Sequence, residues 1–256
     1  MGSLSNFLEN ELIDHVFGGG AYTPPATVYL ALATADPGEA GPPTEPSGNG
    51  YAREAITFGA AASRQIVQSA QVNFDQATGS WGTITHYAIM DALTSGNMMA
   101  YGALSVSKEV VAGNTPSVAA SEVVISFNTG AIFNYLAHKL LDLAFRNQAY
   151  SAPTIYIGLS TTVPNDDGTN ITEPGSGNYA RKAHATWGVA SGGATSNTGD
   201  ITFNIPSGTW GLITYGTIHD ALTVGNPLWR GDVTDQTPNS GDTVKFPSGD
   251  LDVSLD

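Results

Sequence analysis

The sequence contains no cysteine among its 256 residues. Disulfide bridges, thiolate nucleophiles and cysteine-ligated zinc sites are therefore excluded. Charged residues are also scarce, at 12% of the chain, about half the share of an ordinary globular protein. The 9 basic residues are outnumbered by 23 acidic ones, which gives a net charge of −14. Because nucleic-acid phosphates are bound by lysine- and arginine-rich surfaces, we expect no direct contact with DNA or RNA.

Long apolar runs are lacking as well. The first apolar segment is interrupted by Glu9, Glu11 and Asp14, which is unlike a signal peptide or a membrane span, so we expect no membrane association. Glycine and proline, by contrast, are abundant, with 30 and 14 copies. Together with regularly recurring aromatic and β-branched residues, they are typical of short strands joined by tight turns.

The dominant feature of the sequence is an internal repeat with a period near 128 residues. The matched segments, first copy before second, are Tyr51-Ala52-Arg53 with Tyr179-Ala180-Arg181, Glu45-Pro46 with Glu173-Pro174, Trp81-Gly82 with Trp210-Gly211, Asp91-Ala92-Leu93 with Asp220-Ala221-Leu222, Gly96-Asn97 with Gly225-Asn226, Thr27-Val28-Tyr29 with Thr154-Ile155-Tyr156, and Tyr22 and Pro25 with Tyr150 and Pro153. So long a period indicates duplicated domains rather than a solenoid. We predict domains at 1–127 and 128–256, with a linker within Asn128-Thr129-Gly130.

Each repeat is predicted to open with a helix and to continue as short strands. The helical stripes are Leu4, Leu8, Leu12 and Val16 in the first copy, and Ile132, Leu136, Leu140 and Ala144 in the second. Strands are predicted at 28–33, 51–58, 72–74, 84–90, 98–106 and 123–127, and at the matching positions of the second copy. We therefore expect a mainly β (α+β) fold of two tandem β-sandwich-like domains, each with one N-terminal helix.

The helical stripes have two interpretations. Either they cover the sheet of their own domain, or they pack against a neighbouring domain or subunit. The residues of this candidate interface are Leu4, Leu8, Leu12, Ile132, Leu136 and Leu140.

The recurring polar and tryptophan positions are the strongest candidates for a site. They are Glu45, Arg53, Trp81 and Asp91 in the first copy and Glu173, Arg181, Trp210 and Asp220 in the second. Two carboxylates and an arginine resemble a glycosidase set. We favour structural braces, in which each arginine ties down a long loop through a bidentate carboxylate bond, each aspartate starts a turn, and each tryptophan packs.

Other chemistry finds little support in the sequence. None of the five histidines recurs at its matched position, and none accompanies a serine nucleophile or a second metal ligand. The polar run 165–170 contains oxygen ligands for calcium but lacks the spacing of a calcium loop, so a solvated turn is the better interpretation. We expect no catalytic residue, no cofactor and no metal site, and hence no enzyme.

The order of these motifs resembles a known family. The motifs are YTPPATVYLAL at 22–32, EPSG at 45–48, GYAR at 50–53, WGTITH at 81–86, DALTSGN at 91–97 and GALSVSK at 102–108. They are similar to tailed-bacteriophage virion proteins that are often labelled tail fibre proteins and that usually consist of one copy. The second repeat departs from the pattern at 156–159 and at 232–235, where the lysine is missing. The resemblance implies a virion component, assembled in the cytoplasm of the bacterial host.

Three roles are compatible with this resemblance. We favour a capsid decoration or cement protein on the outer shell, because the chain is compact and has neither a fibrous repeat nor a coiled coil. The alternative is a tail or tail-fibre component that contacts the host surface, and a third role is a glycan-binding or glycan-hydrolysing virion protein. The expected partners are other virion proteins, either the major capsid protein or tail proteins. We also expect a homo-oligomer, with a trimer of duplicated chains giving a pseudo-sixfold ring.

Overall fold

The computed structural model describes residues 2–127 and 130–255. These residues are mainly β with two helices, which confirms the predicted fold class. The helices are α1 (Asn6–Phe17) and α2 (Asn134–Arg146). The strands of the first repeat are β1 (Ser3–Leu4), β2 (Val28–Ala33), β3 (Glu54–Ile56), β4 (Gln65–Val67), β5 (Val72–Asn73), β6 (Gly82–Met90), β7 (Met98–Val110), β8 (Ser117–Val118) and β9 (Val124–Ser126). Those of the second are β10 (Tyr156–Ser160), β11 (Lys182–Ala183), β12 (Ala194–Ser196), β13 (Ile201–Thr202), β14 (Ile213–His219), β15 (Pro227–Gln236), β16 (Lys245–Phe246) and β17 (Asp252–Ser254).

The described residues form two compact units, which we call the first and the second unit. The first unit contains residues 2–10, 23–127 and 138–150, and the second contains 11–22, 130–137 and 151–255. The predicted division at 127/128 follows the repeat, and residues 128 and 129 of its linker lie outside the described residues. That boundary stays a prediction.

The first unit is built on one antiparallel sheet with strand order β1-β7-β6-β2-β3. Strand β2 lies inside this sheet and is buried at five of its six positions, as its nearly continuous apolar sequence VYLALA requires. Two small ladders, β4 with β9 and β5 with β8, accompany the sheet. Ala31, Ala88, Met90 and Met98 form a buried cluster on β2, β6 and β7.

The second unit repeats this plan. Its antiparallel sheet has the order β11-β10-β14-β15, and its small ladders join β12 with β17 and β13 with β16. Each strand takes the place of its sequence counterpart in the first unit. The strand registers can therefore be used to match individual residues between the two repeats.

Helix α1 starts at Asn6, two residues after the first residue of its predicted apolar stripe. The Ser5 side chain accepts a hydrogen bond from the Leu8 amide, 3.3 Å away, so Ser5 caps the helix. Leu4 consequently belongs to β1 and pairs with Ala100. Ile132 likewise precedes its helix α2, where it bridges Trp229. The prediction that both residues are helical was wrong, because backbone pairing with a strand satisfies their polar groups instead.

Candidate functional site

The network around Arg53 in the first unit joins a long loop to a turn. Arg53 donates from Nη2 to Glu45 Oε1 at 2.7 Å and from Nε to both oxygens of that carboxylate at 3.1 Å. Its Nη1 donates to the carbonyls of Ala92 and Ser95, each 2.6 Å away. The arginine side chain is 9% exposed and the glutamate side chain 19%. One guanidinium therefore fixes the long loop before it and the turn after β6.

A tyrosine completes this network. The Tyr51 hydroxyl donates to Glu45 Oε2 at 2.7 Å and accepts from the Leu32 amide at 3.0 Å. Burial, and then the neighbouring carboxylate, raise the pKa of Tyr51 far above its usual range. The phenol consequently stays protonated and acts as a donor to Glu45. The Tyr-Ala-Arg motif thus places two side chains, Tyr51 and Arg53, on the same carboxylate.

The second unit contains the same network. Arg181 donates from Nη2 and Nε to the two oxygens of Glu173, at 2.8 and 2.9 Å, and from Nη1 to the carbonyls of Ala221 and Val224, at 2.8 Å each. The Tyr179 hydroxyl donates to Glu173 Oε1 at 2.7 Å and accepts from the backbone amide of β10. Burial opposes ionisation of Glu173, but hydrogen bonds from Arg181 and Tyr179 outweigh it and hold the pKa of Glu173 below its usual range.

The second network differs from the first by one buried histidine. His219 Nε2 lies 2.9 Å from the Thr217 hydroxyl, and the side chain is close to Glu173 and Arg181. Burial, assisted by the arginine, lowers the pKa of His219 to about 4. The first unit has Met90 at this position, because Tyr156 faces His219 as Tyr29 faces Met90. Because its pKa is lowered, His219 is neutral near pH 7.

The two recurrent aspartates hold the turns that the arginines reach. Asp91 accepts from the Asn97 amide at 2.7 Å and from its side-chain amide at 2.8 Å, and Asp220 accepts from Asn226 at 2.6 and 2.7 Å. Gly96 has a φ of 73°, and a Cβ there would lie 2.2 Å from Asp91 Oδ1. Only glycine suits both requirements, which explains the recurring Gly-Asn pair.

The recurrent tryptophans are buried beside the long loops. Trp81 donates from Nε1 to the Asn49 carbonyl at 2.9 Å, and Trp210 donates to the Gly177 carbonyl at 2.7 Å. Their side chains are only 4% and 3% exposed. Trp81 also makes an edge contact with Tyr51, so the aromatic packing and the arginine network are continuous. Neither indole offers an open face for stacking a sugar.

The geometry of these networks favours bracing over proton transfer. A glycosidase needs one carboxyl group with a raised pKa to act as general acid. The pKa of Glu173 is instead lowered, and Glu45 is held by the same kind of arginine and tyrosine. The role of these residues as braces remains a prediction that substitution can test.

The remaining candidates are dispersed through the fold. His15 accepts from the Tyr22 amide, His138 accepts from the Arg64 amide, and His86 contacts the Thr85 hydroxyl. The run 165–170 forms a tight turn, in which Asp167 accepts from Thr169 and Asp166 pairs with Arg230. Among residues 2–127 and 130–255, no three histidine, aspartate or glutamate side chains are grouped as a metal site would require.

The six residues of the candidate interface are buried in the chain itself. Leu4, Leu8, Leu12, Ile132, Leu136 and Leu140 are each at most 3% exposed. This burial favours packing against the protein's own core, and an interface with a neighbouring domain or subunit stays a prediction.

A family model for podophage GP4 fiber I protein gp80 matches residues 3–126 and again residues 131–254. The chain belongs to this gp80 fibre family. The match confirms the resemblance to phage tail-fibre proteins and the tandem duplication. No curated protein matches the chain at a significant level.

Membership of the gp80 fibre family shows that the protein is a structural component of a phage virion. It fits the tail-fibre alternative better than capsid decoration, the role favoured above from compactness and the lack of a fibrous repeat or coiled coil. Within the described part of the chain, neither helix has the length and apolarity to span a membrane.

The two tyrosines and His219 were not among the predicted site residues. Tyr51 and Tyr179 recur within the Tyr-Ala-Arg motif, so the repeat already contained the signal for them. His219 gave no such signal, because it occurs in one repeat only.

Proposed function

We propose that this protein is a building block of a podophage tail fibre. The observation that carries the proposal is the fibre-family match over both repeats, which together span nearly the whole chain. Two units braced by matching networks around Arg53 and Arg181 are suited to a component that has to keep its shape. Its partners are other virion proteins, including further copies of this chain.

We also propose that the role is not catalytic. In each network the glutamate is held by an arginine and a tyrosine, and each aspartate accepts two bonds from one asparagine. Groups that are fully used in holding loops have no free oxygen arranged for substrate. This arrangement supports a structural role for the recurrent residues.

The location in the particle is tested by electron microscopy of intact virions labelled with gold-conjugated antibody against this chain. We expect label at the tail and a low copy number per particle by quantitative mass spectrometry. Label distributed over the head, with copies in the hundreds, would establish the decoration role instead.

The oligomeric state is tested separately by analytical ultracentrifugation of the purified chain. We expect a homo-oligomer, and a trimer is the form that we propose. A chain that remains monomeric at all concentrations would contradict this part of the proposal and leave the virion location unaffected.

A further inference from the structure

Each unit contains a helical segment that comes from the other repeat. Residues 138–150 belong to the second repeat by sequence and to the first unit by structure. Residues 11–22 of the first repeat belong in turn to the second unit. Because α1 and α2 open the two copies at equivalent positions, the repeats have exchanged equivalent pieces.

In the first unit, the exchanged segment contacts residues 58–64, which we call the first docking surface. The Asp142 carboxylate accepts a hydrogen bond from the Ala61 amide, with 3.0 Å between Oδ1 and N. One helical turn further on, the rings of Phe145 and Phe58 pack with their centroids 5.3 Å apart. The helix is therefore held by one directional bond to backbone and one aromatic contact.

The second unit repeats this arrangement on residues 187–190, which we call the second docking surface. The Asp14 carboxylate accepts a hydrogen bond from the Ala190 amide, with 2.8 Å between Oδ1 and N. The rings of Phe17 and Trp187 pack with their centroids 4.6 Å apart. An aspartate and a phenylalanine one turn apart thus hold each exchanged helix.

The two docking surfaces occupy the same place in their units. Phe58 forms an isolated bridge with Gln68, just as Trp187 does with Asn197. The helices correspond as well, because each aspartate and each phenylalanine recurs at the period of the repeat. One kind of contact therefore occurs twice, and each repeat is both donor and acceptor of a helix.

The exchanged segments also bury much of their apolar surface. The side chains that are at most 5% exposed include Leu12, Ile13, Phe17, Leu140, Leu141 and Phe145. Separating the repeats would withdraw each helix from the unit that contains it and bring these side chains into water. Burial of apolar surface is the dominant favourable contribution to most protein association, so the exchange should resist separation.

We propose that the opening helix of one repeat is a ligand for the docking surface of another, so that the two repeats bind each other without the peptide link between them. The partner of each repeat is a second copy of the same repeat, supplied here by the same chain. This inference rests on the exchanged helices alone. Its failure would leave the proposed tail-fibre role untouched.

The proposal is tested by cutting the full chain between its repeats. The recognition site of a sequence-specific protease is inserted between residues 128 and 129, and the folded protein is cleaved without denaturant. At about 1 µM, native mass spectrometry and analytical ultracentrifugation should show one species that contains both halves, as expected for a dissociation constant well below that concentration. Halves that sediment separately at this concentration would overturn the proposal.

Substitution of the two aspartates tests whether the docking surfaces hold the halves. Asp14→Ala combined with Asp142→Ala should weaken association in the cleaved protein about tenfold for each lost bond. Asp235→Ala, at an exposed position of β15, is the matched control and should change nothing. Circular dichroism of the uncut variants checks that they are folded. A folded double variant whose halves associate as tightly as the control would refute the assignment.

A milder variant separates the docking bond from an ion pair on the same helix. Asp142 also pairs with Arg146 at 2.9 Å. Asp142→Asn removes the charge but keeps an acceptor oxygen, so it should weaken association less than Asp142→Ala. An asparagine variant as weak as the alanine variant would mean that the ion pair, and not the bond to the Ala61 amide, is what matters, and the docking contact at the first surface would fall.

Hydrogen exchange distinguishes helix docking from association through other surfaces. In the cleaved complex the amides of Ala61 and Ala190 should stay as protected as in the uncut chain, because the aspartates still accept from them. Rapid exchange of both amides in halves that remain associated would show that other contacts hold them together. That result would contradict the proposal.

Discussion

Replacing Arg53 by alanine should destabilise the first unit more than any surface substitution. The guanidinium neutralises Glu45, and it also satisfies the carbonyls of Ala92 and Ser95. Its removal leaves a mostly buried carboxylate with Tyr51 as its remaining donor in the network. Breaking a buried ion pair from one side typically costs about 3–5 kcal/mol. We therefore expect a loss of about 3–5 kcal/mol in the free energy of unfolding.

The assay is urea unfolding followed by circular dichroism, with hydrogen exchange to locate the effect. Loss of protection should be concentrated in residues 36–50 and 91–97, which the arginine joins. Arg53→Lys should be intermediate, because a lysine keeps the charge but cannot make the bidentate contact.

The matched control is Lys245→Ala. Lys245 pairs with Asp200 at 2.7 Å, but the two side chains are 43% and 48% exposed. An exposed ion pair contributes about 0–1 kcal/mol, so this variant should be nearly neutral. A loss of less than about 1 kcal/mol for Arg53→Ala, similar to the control, would refute the bracing role of the arginine.

Three further predictions concern burial and backbone conformation. Burial lowers the pKa of His219 to about 4 in the folded protein, whereas the unfolded histidine has a pKa of about 6.5. As the pH falls, the unfolded state therefore takes up this proton first. The free energy of unfolding is consequently highest above about pH 6.5 and declines towards pH 4. His219→Met should therefore reduce the loss of stability over that range by up to about 3 kcal/mol, measured by urea unfolding at each pH. Trp81→Phe removes the 2.9 Å hydrogen bond to the Asn49 carbonyl, which still accepts from the Thr78 amide, and should cost about 0.5–1.5 kcal/mol in thermal unfolding. Gly96→Ala should cost more than Gly113→Ala in the same assay, because both glycines have positive φ but only Gly96 has a carboxylate oxygen 2.2 Å from the added Cβ. Equal costs for the two glycines would refute the clash with Asp91.

The sequence predicted those strands and helices in which the pattern of apolar residues extends over several positions. Strand β2 was predicted at its observed bounds, because six consecutive apolar residues leave little choice. Strands β4, β8, β12 and β16, which have two or three residues each, were not recognised.

The candidate braces were found by recurrence rather than by chemistry. Arg53 and Glu45 stood out because the second repeat retains both, and the structure brings them within 2.7 Å. The apolar stripes gave a weaker prediction, because periodicity reports that a face is buried and not what buries it.

The composition of the two units has a consequence for the gene. Residues 138–150 of the second repeat belong to the first unit, and residues 11–22 of the first repeat belong to the second. A recombination event between the two homologous halves would delete one copy. It would therefore remove residues that belong to each of the two units. Such deletions are a constant hazard for tandem duplications. In this protein we expect natural selection to eliminate them, so that the duplication, once established, is retained.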